Sequence, residues 1–232
     1  MTSSQRPVAG LSLPKPIIER AEALLQQGGR RLLGIAGPPG AGKSTVADLL
    51  AAELGTRALV VPMDGFHLAN RELARLGRAK RKGAPDTFDV YGYRALLERL
   101  RHQQADETVY APSFHRDIEE AIAGSIPVSS EVSLIISEGN YLLLDEGPWQ
   151  PVAELFDECW YVAVDPDERR TRLIERHMHF GRSREAAQAW VEQTDEPNAL
   201  RIDQYKDRAH LQIPWSDGPA RSVSCVMNQG PG

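Results

Sequence analysis

Cysteine is scarce in this sequence. Cys159 and Cys225 are the only two, they lie far apart, and neither belongs to a C-x-x-C pair. That leaves no disulfide framework, thiol-redox motif or cysteine-based zinc site, and it suits a reducing compartment. Long apolar runs are missing as well. None approaches the roughly 20 residues needed to span a bilayer, and the first ten residues lack the apolar centre of a signal peptide. The expected setting is the cytoplasm, with no membrane partner. Charge of one sign is also lacking: a formal net charge of -5 gives no global attraction to nucleic acid, so any basic site must be local. Internal repeats and low-complexity blocks do not occur.

What is present suits one folded domain. A chain of 232 residues with 41% hydrophobic and 25% charged residues is long enough to bury a full core. The first dozen residues, rich in Ser, Pro and Gly, read as a flexible arm. Pro16 to Gln27 carries apolar residues at helical spacing and stops at Gly28-Gly29. A strand follows at Leu32 to Ala36, then a glycine-rich turn and a helix from Lys43 to about Leu54. Further strands are expected at Ala58 to Val61, Thr108 to Ala111, Val132 to Ser137, Trp160 to Val164 and Ser222 to Met227. Helices are expected over Tyr93 to His102, from Asp165-Pro166 to about Met178, over Ser183 to Gln193 and over Pro197 to Arg208, with Asp165 and Asp195 as caps. Strands alternating with helices predict an α/β fold with a mainly parallel sheet covered on both faces.

The glycine-rich turn is Gly37-Pro38-Pro39-Gly40-Ala41-Gly42-Lys43-Ser44-Thr45, which fits G-x-x-x-x-G-K-[ST] between a buried strand and a helix. Glycines let the backbone curl so that several N–H groups meet one phosphate, and the helix N-terminus adds partial positive charge. Lys43 is expected at the β- and γ-phosphates of ATP, and the Ser44 hydroxyl at Mg²⁺.

A phosphate loop alone serves switches, motors and kinases, and other motifs discriminate among them. The chain has no Asn-Lys-x-Asp and no LSGGQ run. Asp64, in MDGFH, follows a strand at the sheet edge where open α/β folds collect ligands, and a carboxylate there can take a proton from an acceptor hydroxyl. A helix cap is the plainer alternative. Glu138 ends the apolar strand LIISE and reads as a second acid beside the phosphate loop, orienting water or Mg²⁺. Around residues 169–193 arginines crowd about Gly181, as expected of a lid, and Arg172 and Arg176 are the candidates to neutralise the transferring group. His177 and His179 are two apart, on different helix faces, which argues against a metal pair.

Six blocks in order, GPPGAGKST, MDGFH, RKGAPDTFDVYGYRALLERL, VYAPSFHRDIEEAI, LIISEGNYLLL and WVEQTDEPNALRI, resemble the P-loop kinase group of uridine kinases, phosphoribulokinases and type I pantothenate kinases. Within it the chain is most similar to a bacterial branch labelled nucleoside/nucleotide kinase-like or fructose-transport-system kinase. The resemblance implies strand order 2-3-1-4-5, Mg-ATP on the phosphate loop, Asp64 as base, and acceptor contacts around Asp86, Phe114 and Asn198. It also departs from the pattern. Gly65-Phe66-His67 stands where uridine kinases have Ser-Phe-Tyr, Arg201 where pantothenate kinases have asparagine, and Phe114-His115-Arg116 where they have Tyr-Ser-His.

The acceptor end draws on His67, Asp86, Tyr110, Phe114, His115 and Asn198 as candidate contacts, with surface turn and plain apolar contact as the alternatives. The basic run from Arg71 to Lys82 is either a solvated face or a reader of an acceptor carboxylate or phosphate. The expected activity is phosphoryl transfer from ATP to a hydroxyl of a small sugar, nucleoside or pantothenate-like molecule. An ATP-binding sensor acting through a protein partner and a nucleoside-monophosphate kinase stay open, as does a homodimer.

Overall fold

The computed structural model describes residues 11–216 and 226–227. Helix α1 (Lys15–Gln26) buries Ile17, Ala21 and Leu24 at its predicted spacing, and Gly28 and Gly29, both left-handed, release the chain into strand β1 (Arg31–Ala36). Helix α2 (Lys43–Leu54) and strand β2 (Ala58–Val60) follow, then a short turn at Met63–Phe66 and helix α3 (Asn70–Arg75). Helix α4 (Val90–Arg101) starts at Asp89, whose carboxylate accepts from the Gly92 amide.

Strands β3 (Thr108–His115) and β4 (Glu120–Ser129) form an antiparallel hairpin separate from the main sheet. The sequence reading stopped β3 at Ala111 and gave β4 no strand at all. The reason lies in two breakers: Gly124 and Pro127 interrupt the apolar residues of β4, which an exposed two-stranded hairpin tolerates, with little buried beyond Val128. Then come β5 (Leu134–Gly139), β6 (Glu158–Ala163), α5 (Pro166–His179), α6 (Arg184–Trp190), α7 (Glu196–Asp203), β7 (Leu211–Pro214) and β8 (Val226–Met227). The last expected strand began at Ser222, and its residues 222–225 lie outside the described residues.

The main sheet runs β2-β5-β1-β6-β7-β8, parallel throughout except for β8 at the edge. Counted among themselves, its five parallel strands read 2-3-1-4-5, the order the family resemblance implies, with β8 added antiparallel. Strand β1 explains the two layers. Its side chains alternate, so Leu32 and Ala36 join the apolar cluster under α4 while Leu33 and Ile35 join the cluster under α1 and α2. Gly34 sits between, where a Cβ would come within 2.9 Å of the Cys159 Sγ and 3.1 Å of the Phe156 ring. Every parallel strand thus delivers its C-terminal end to one edge, where the polar motifs gather.

Candidate active site

At that edge the turn after β1 wraps the N-terminus of α2. Gly40 and Gly42 take φ of 78° and 91°, conformations L side chains rarely adopt. A Cβ on Gly42 would also fall 2.7 Å from the Trp215 Nε1. Helix α2 has no side-chain cap, so its first amides, from Lys43 to Thr45, are left for an external acceptor. Such a cradle of N–H donors at a positive helix end fits a phosphate. Lys43 is 8% exposed, and its ammonium donates to the Pro38 carbonyl at 3.0 Å and the Asn140 Oδ1 at 2.7 Å. Burial brings it down from 10.5 to about 8, against the pull of the Glu138 and Asp64 carboxylates.

Strand β5 places Glu138 beside this loop, because β5 pairs with β1 in register, Ile35 opposite Glu138 and Ala36 opposite Gly139. The Ser44 hydroxyl donates to the Glu138 Oε1 at 3.0 Å. Burial, and next the Asp64 charge, push the Glu138 carboxyl upward. The Tyr93 hydroxyl and the Ser137 hydroxyl, which also donates to the Val61 carbonyl, tie α4 and the end of β2 to β5.

Asp64 lies in the Met63–Phe66 turn immediately beyond β2, and it caps no helix, so the plainer reading of it falls away. Two glycines bring this turn close. A Cβ on Gly139 would strike the Met63 side chain at 2.6 Å, and one on Gly65 would strike the Pro112 carbonyl oxygen at 2.4 Å. Because the obstacle at Gly65 is backbone, Gly65→Ala is expected to destabilise by roughly 1–3 kcal/mol through overpacking. A urea midpoint unchanged from wild type would show that the hairpin does not bear on this turn. The Asp64 Oδ2 accepts from the Arg116 Nη2 at 3.3 Å. The His67 ring packs at a tilt against both Phe88 and Phe114, with ring centroids 4.1 and 4.6 Å away, and burial lowers its pKa.

Helices α5 to α7 line the other side. Asp165 caps α5 as expected, its Oδ1 accepting from the amides of Asp167 and Glu168. Arg169, 4% exposed, pairs with Glu196 and fixes α5 to α7. Arg172 and Arg176 face the cleft from the same helix, and burial followed by the nearby Arg116 lowers the Arg176 guanidinium. Asp195 is not a helix cap: its backbone is helical, a π-turn at Val191–Asp195 joins α6 to α7, and its carboxylate lies 2.8 Å from the His177 Nε2. Arg182 stacks on Trp190 at 4.1 Å from the ring centroid.

One cleft of about 660 Å³ gathers Pro39, Gly40, Gly42, Lys43, Ser44, Thr45, Asp64 and His67, and with them Phe114, Glu138, Arg172, Arg176 and Asn198. Gly37, Pro38 and Ala41 belong to the loop but not to the cleft lining, the Pro38 carbonyl accepting from Lys43. Three expected acceptor contacts are not brought to this cleft. Asp86 is engaged by Arg78 and Arg81, which lowers its pKa. The Tyr110 side chain is 59% exposed on the hairpin, outside the cleft lining. His115 bonds Ser113 at 3.0 Å, because alternation along β3 sends it to the face opposite Phe114. Lys82 is the basic residue of the expected run that, as allowed for, lines the cleft, and Asn140 and Arg116 are among the cleft residues not singled out as contacts. Asn140 was legible from its place two residues past Glu138 at a strand end, whereas Arg116 depends on the hairpin, which no periodicity announced.

Residues 32–222 match the Phosphoribulokinase / Uridine kinase family. "Putative uridine kinase C227.14" of Schizosaccharomyces pombe is 34% identical over 195 residues, covering 80% of this chain and 82% of that protein. "Uncharacterized protein YggC" of Escherichia coli (strain K12) is 31% identical over 210 residues, covering 88% and 86%. The crystal structure of a "putative fructose transport system kinase from Silicibacter sp. TM1040" superposes with a TM-score of 0.79 at 39% identity, covering 86% of this chain and 98% of that one. A match over most of the chain, joined to a phosphate loop and an acid at adjacent strand ends, makes this chain a member of the phosphoribulokinase/uridine kinase family, an ATP-dependent kinase of small molecules.

Proposed function

We propose that this kinase passes the γ-phosphoryl group of ATP directly to a hydroxyl of its acceptor, with Asp64 as the base. The observation that carries the reading is the meeting of Lys43, Glu138 and Asp64 in one cleft, each close enough to shift another's ionisation. The phosphate loop amides and Lys43 would hold the β- and γ-phosphates. The Ser44 Oγ and Glu138 Oε1 form an all-oxygen donor pair, which fits Mg²⁺ better than a soft metal. Among the described residues no group of three or more His, Cys, Asp or Glu could cage a metal by itself, in keeping with a cation held largely by substrate phosphates. When bound, Mg²⁺ supplies charge neutralisation at those phosphates.

In the transfer step the acceptor oxygen bonds to the γ-phosphorus as the bond to the β,γ-bridging oxygen breaks. The hydroxyl proton goes to the Asp64 carboxylate, and ADP leaves. Lys43, with Arg176 or Arg172 from the lid, offsets charge on the transferring group. No covalent intermediate on the protein is needed. The test is ADP formation with Mg²⁺ across sugars, nucleosides, nucleotides and pantothenate. Acceptor-dependent turnover supports the reading, and the same slow hydrolysis whatever is added overturns it in favour of a nucleotide sensor.

Lys43 supplies a second check. With its pKa near 8 the ammonium is mostly neutral in the nucleotide-free protein at pH 9, and phosphate oxygens would return it toward 10.5 or above. Binding of a non-hydrolysable ATP analogue is therefore expected to take up close to one proton at pH 9 and little at pH 7. Calorimetry in buffers of different ionisation enthalpy reads this directly, and zero uptake at pH 9 would remove Lys43 from the phosphates.

A further inference from the structure

We infer that Asn140 is a positioning residue for phosphoryl transfer: its side-chain carbonyl, a neutral partner, fixes the Lys43 ammonium at the phosphate loop and leaves the ammonium's charge for the γ-phosphate. The inference rests on the kinase reading above and adds a residue to it.

The end of β5 supplies the geometry. Its last two residues and the one that follows each meet a different part of the site. Glu138 accepts from the Ser44 hydroxyl, Gly139 has no Cβ and so admits Met63 of the turn that carries Asp64, and Asn140 accepts from the Lys43 Nζ at 2.7 Å. The backbone here is held on both sides. Gly139 pairs in register with Ala36, and Tyr141 is fully buried, its hydroxyl donating to the Gly83 carbonyl at 2.5 Å. The Asn140 side chain thus starts from a fixed position. An ammonium has only donors, so the carboxamide must turn its oxygen to Lys43.

Lysine offers three N–H bonds. Among the described residues two are taken, by the Pro38 carbonyl and by Asn140, and no carboxylate bonds the third. Glu138 and Asp64 act on Lys43 through charge alone, and Arg176 and Arg116 oppose them. Two neutral acceptors therefore set where the nitrogen sits, and the third N–H is left for an oxygen from outside the protein. Pro38 belongs to the phosphate loop itself, so Asn140 is what ties Lys43 to the sheet. The neutrality of this partner matters as much as its position. A carboxylate in place of the carboxamide would be a third acid beside Glu138 and Asp64. It would pair with the ammonium in the empty site and repel the incoming phosphates. The carboxamide holds the lysine without competing for its charge, so that charge acts on the phosphates, most strongly as negative charge builds on the transferring group.

The experiment compares Asn140→Ala and Asn140→Asp with wild type in two arms. The first needs no acceptor: the affinities for ADP and for a non-hydrolysable ATP analogue are measured with Mg²⁺. The alanine variant should keep its ADP affinity within about threefold and lose roughly tenfold of the preference for the analogue, since a lost hydrogen bond to a charged group has about that effect. The aspartate variant keeps the shape of asparagine, which guards against misfolding, and its preference should fall at least as far. In the second arm kcat and KM are measured with an acceptor that wild type turns over. The alanine variant should lose roughly tenfold in kcat, with the acceptor KM within about twofold. A raised acceptor KM at unchanged kcat would make Asn140 a contact of the acceptor and overturn the inference. Wild-type preference for the analogue in the alanine variant overturns it too, and so does an aspartate variant that behaves as wild type; either leaves the kinase reading intact. If wild type turns over no acceptor, the kinase reading fails, while the first arm still decides whether Asn140 acts on the γ-phosphate through Lys43.

Discussion

Asp64→Asn is expected to lower kcat by about 10²–10⁴, the range that general-base catalysis contributes, while the affinity for a non-hydrolysable ATP analogue changes by less than about threefold. Asparagine keeps the size and one oxygen of the carboxylate but cannot accept the hydroxyl proton. Nucleotide affinity should survive because among the described residues no hydrogen bond joins Asp64 to the phosphate loop; Asp64 instead bonds Arg116 and, through its backbone carbonyl, His67. The electrostatic side effects oppose each other. Asp64 favours the charged form of Lys43 and disfavours that of Glu138, so removing it makes Lys43 slightly easier to deprotonate and Glu138 easier to ionise. Quenched-flow measurement of the transfer step, with analogue titration alongside, separates chemistry from binding. A variant that retains a tenth of the wild-type rate would show that Asp64 is not the base and would return attention to the other carboxylates of the cleft.

The residues legible in the sequence are those whose geometry is local. The phosphate loop lies within one turn between β1 and α2, so spacing alone fixes which atoms meet. Asp64 and Glu138 follow from a related rule: each ends or follows a parallel strand, and parallel strands bring their C-terminal ends to one edge. The Asp165 cap was readable because a cap needs only the next few residues. Residues whose role depends on distant partners could not be read in this way. Asp86 looked like a hydroxyl binder in a turn, yet five residues upstream Arg81 takes its carboxylate. Asp195 looked like a cap, but α6 continues through a π-turn into α7 and leaves that carboxylate to His177. The acceptor end suffered most. Its walls come from α3's following loop and from the tip of a hairpin whose outer strand is interrupted by Gly124 and Pro127, so Arg116 and Lys82 both come to the Phe114 ring with no sequence pattern linking them.

Lys43→Met should abolish transfer and yet leave the nucleotide-free protein at least as stable as wild type. The two halves have one cause. Folding buries the Lys43 ammonium and lowers its pKa from 10.5 to about 8, so below pH 8 the folded state carries a charge that the unfolded chain solvates freely. At about 1.4 kcal/mol per unit, that opposes folding by roughly 3 kcal/mol. The sign follows from the direction of the shift: the cost is full below pH 8 and fades as pH rises from there toward 10.5, so wild-type stability should climb across that window. Methionine fills a similar volume without charge and removes the cost. It also gives up the bonds to Pro38 and Asn140, each worth about 0.5–1.5 kcal/mol, so the net gain at pH 7 is on the order of 1 kcal/mol. Charge stabilisation of a transferring phosphoryl group is worth roughly 10³-fold or more in rate, and a thioether supplies none. Urea unfolding at pH 7 and pH 10 with both proteins tests the stability half. The methionine variant should lack the rise that wild type shows, and its midpoint should no longer respond to an ATP analogue. A variant clearly less stable than wild type at pH 7 would mean that Lys43 holds the empty loop together. The expected result is instead a lysine that strains the empty site and is relieved when phosphate arrives, which places its favourable interaction where catalysis can use it.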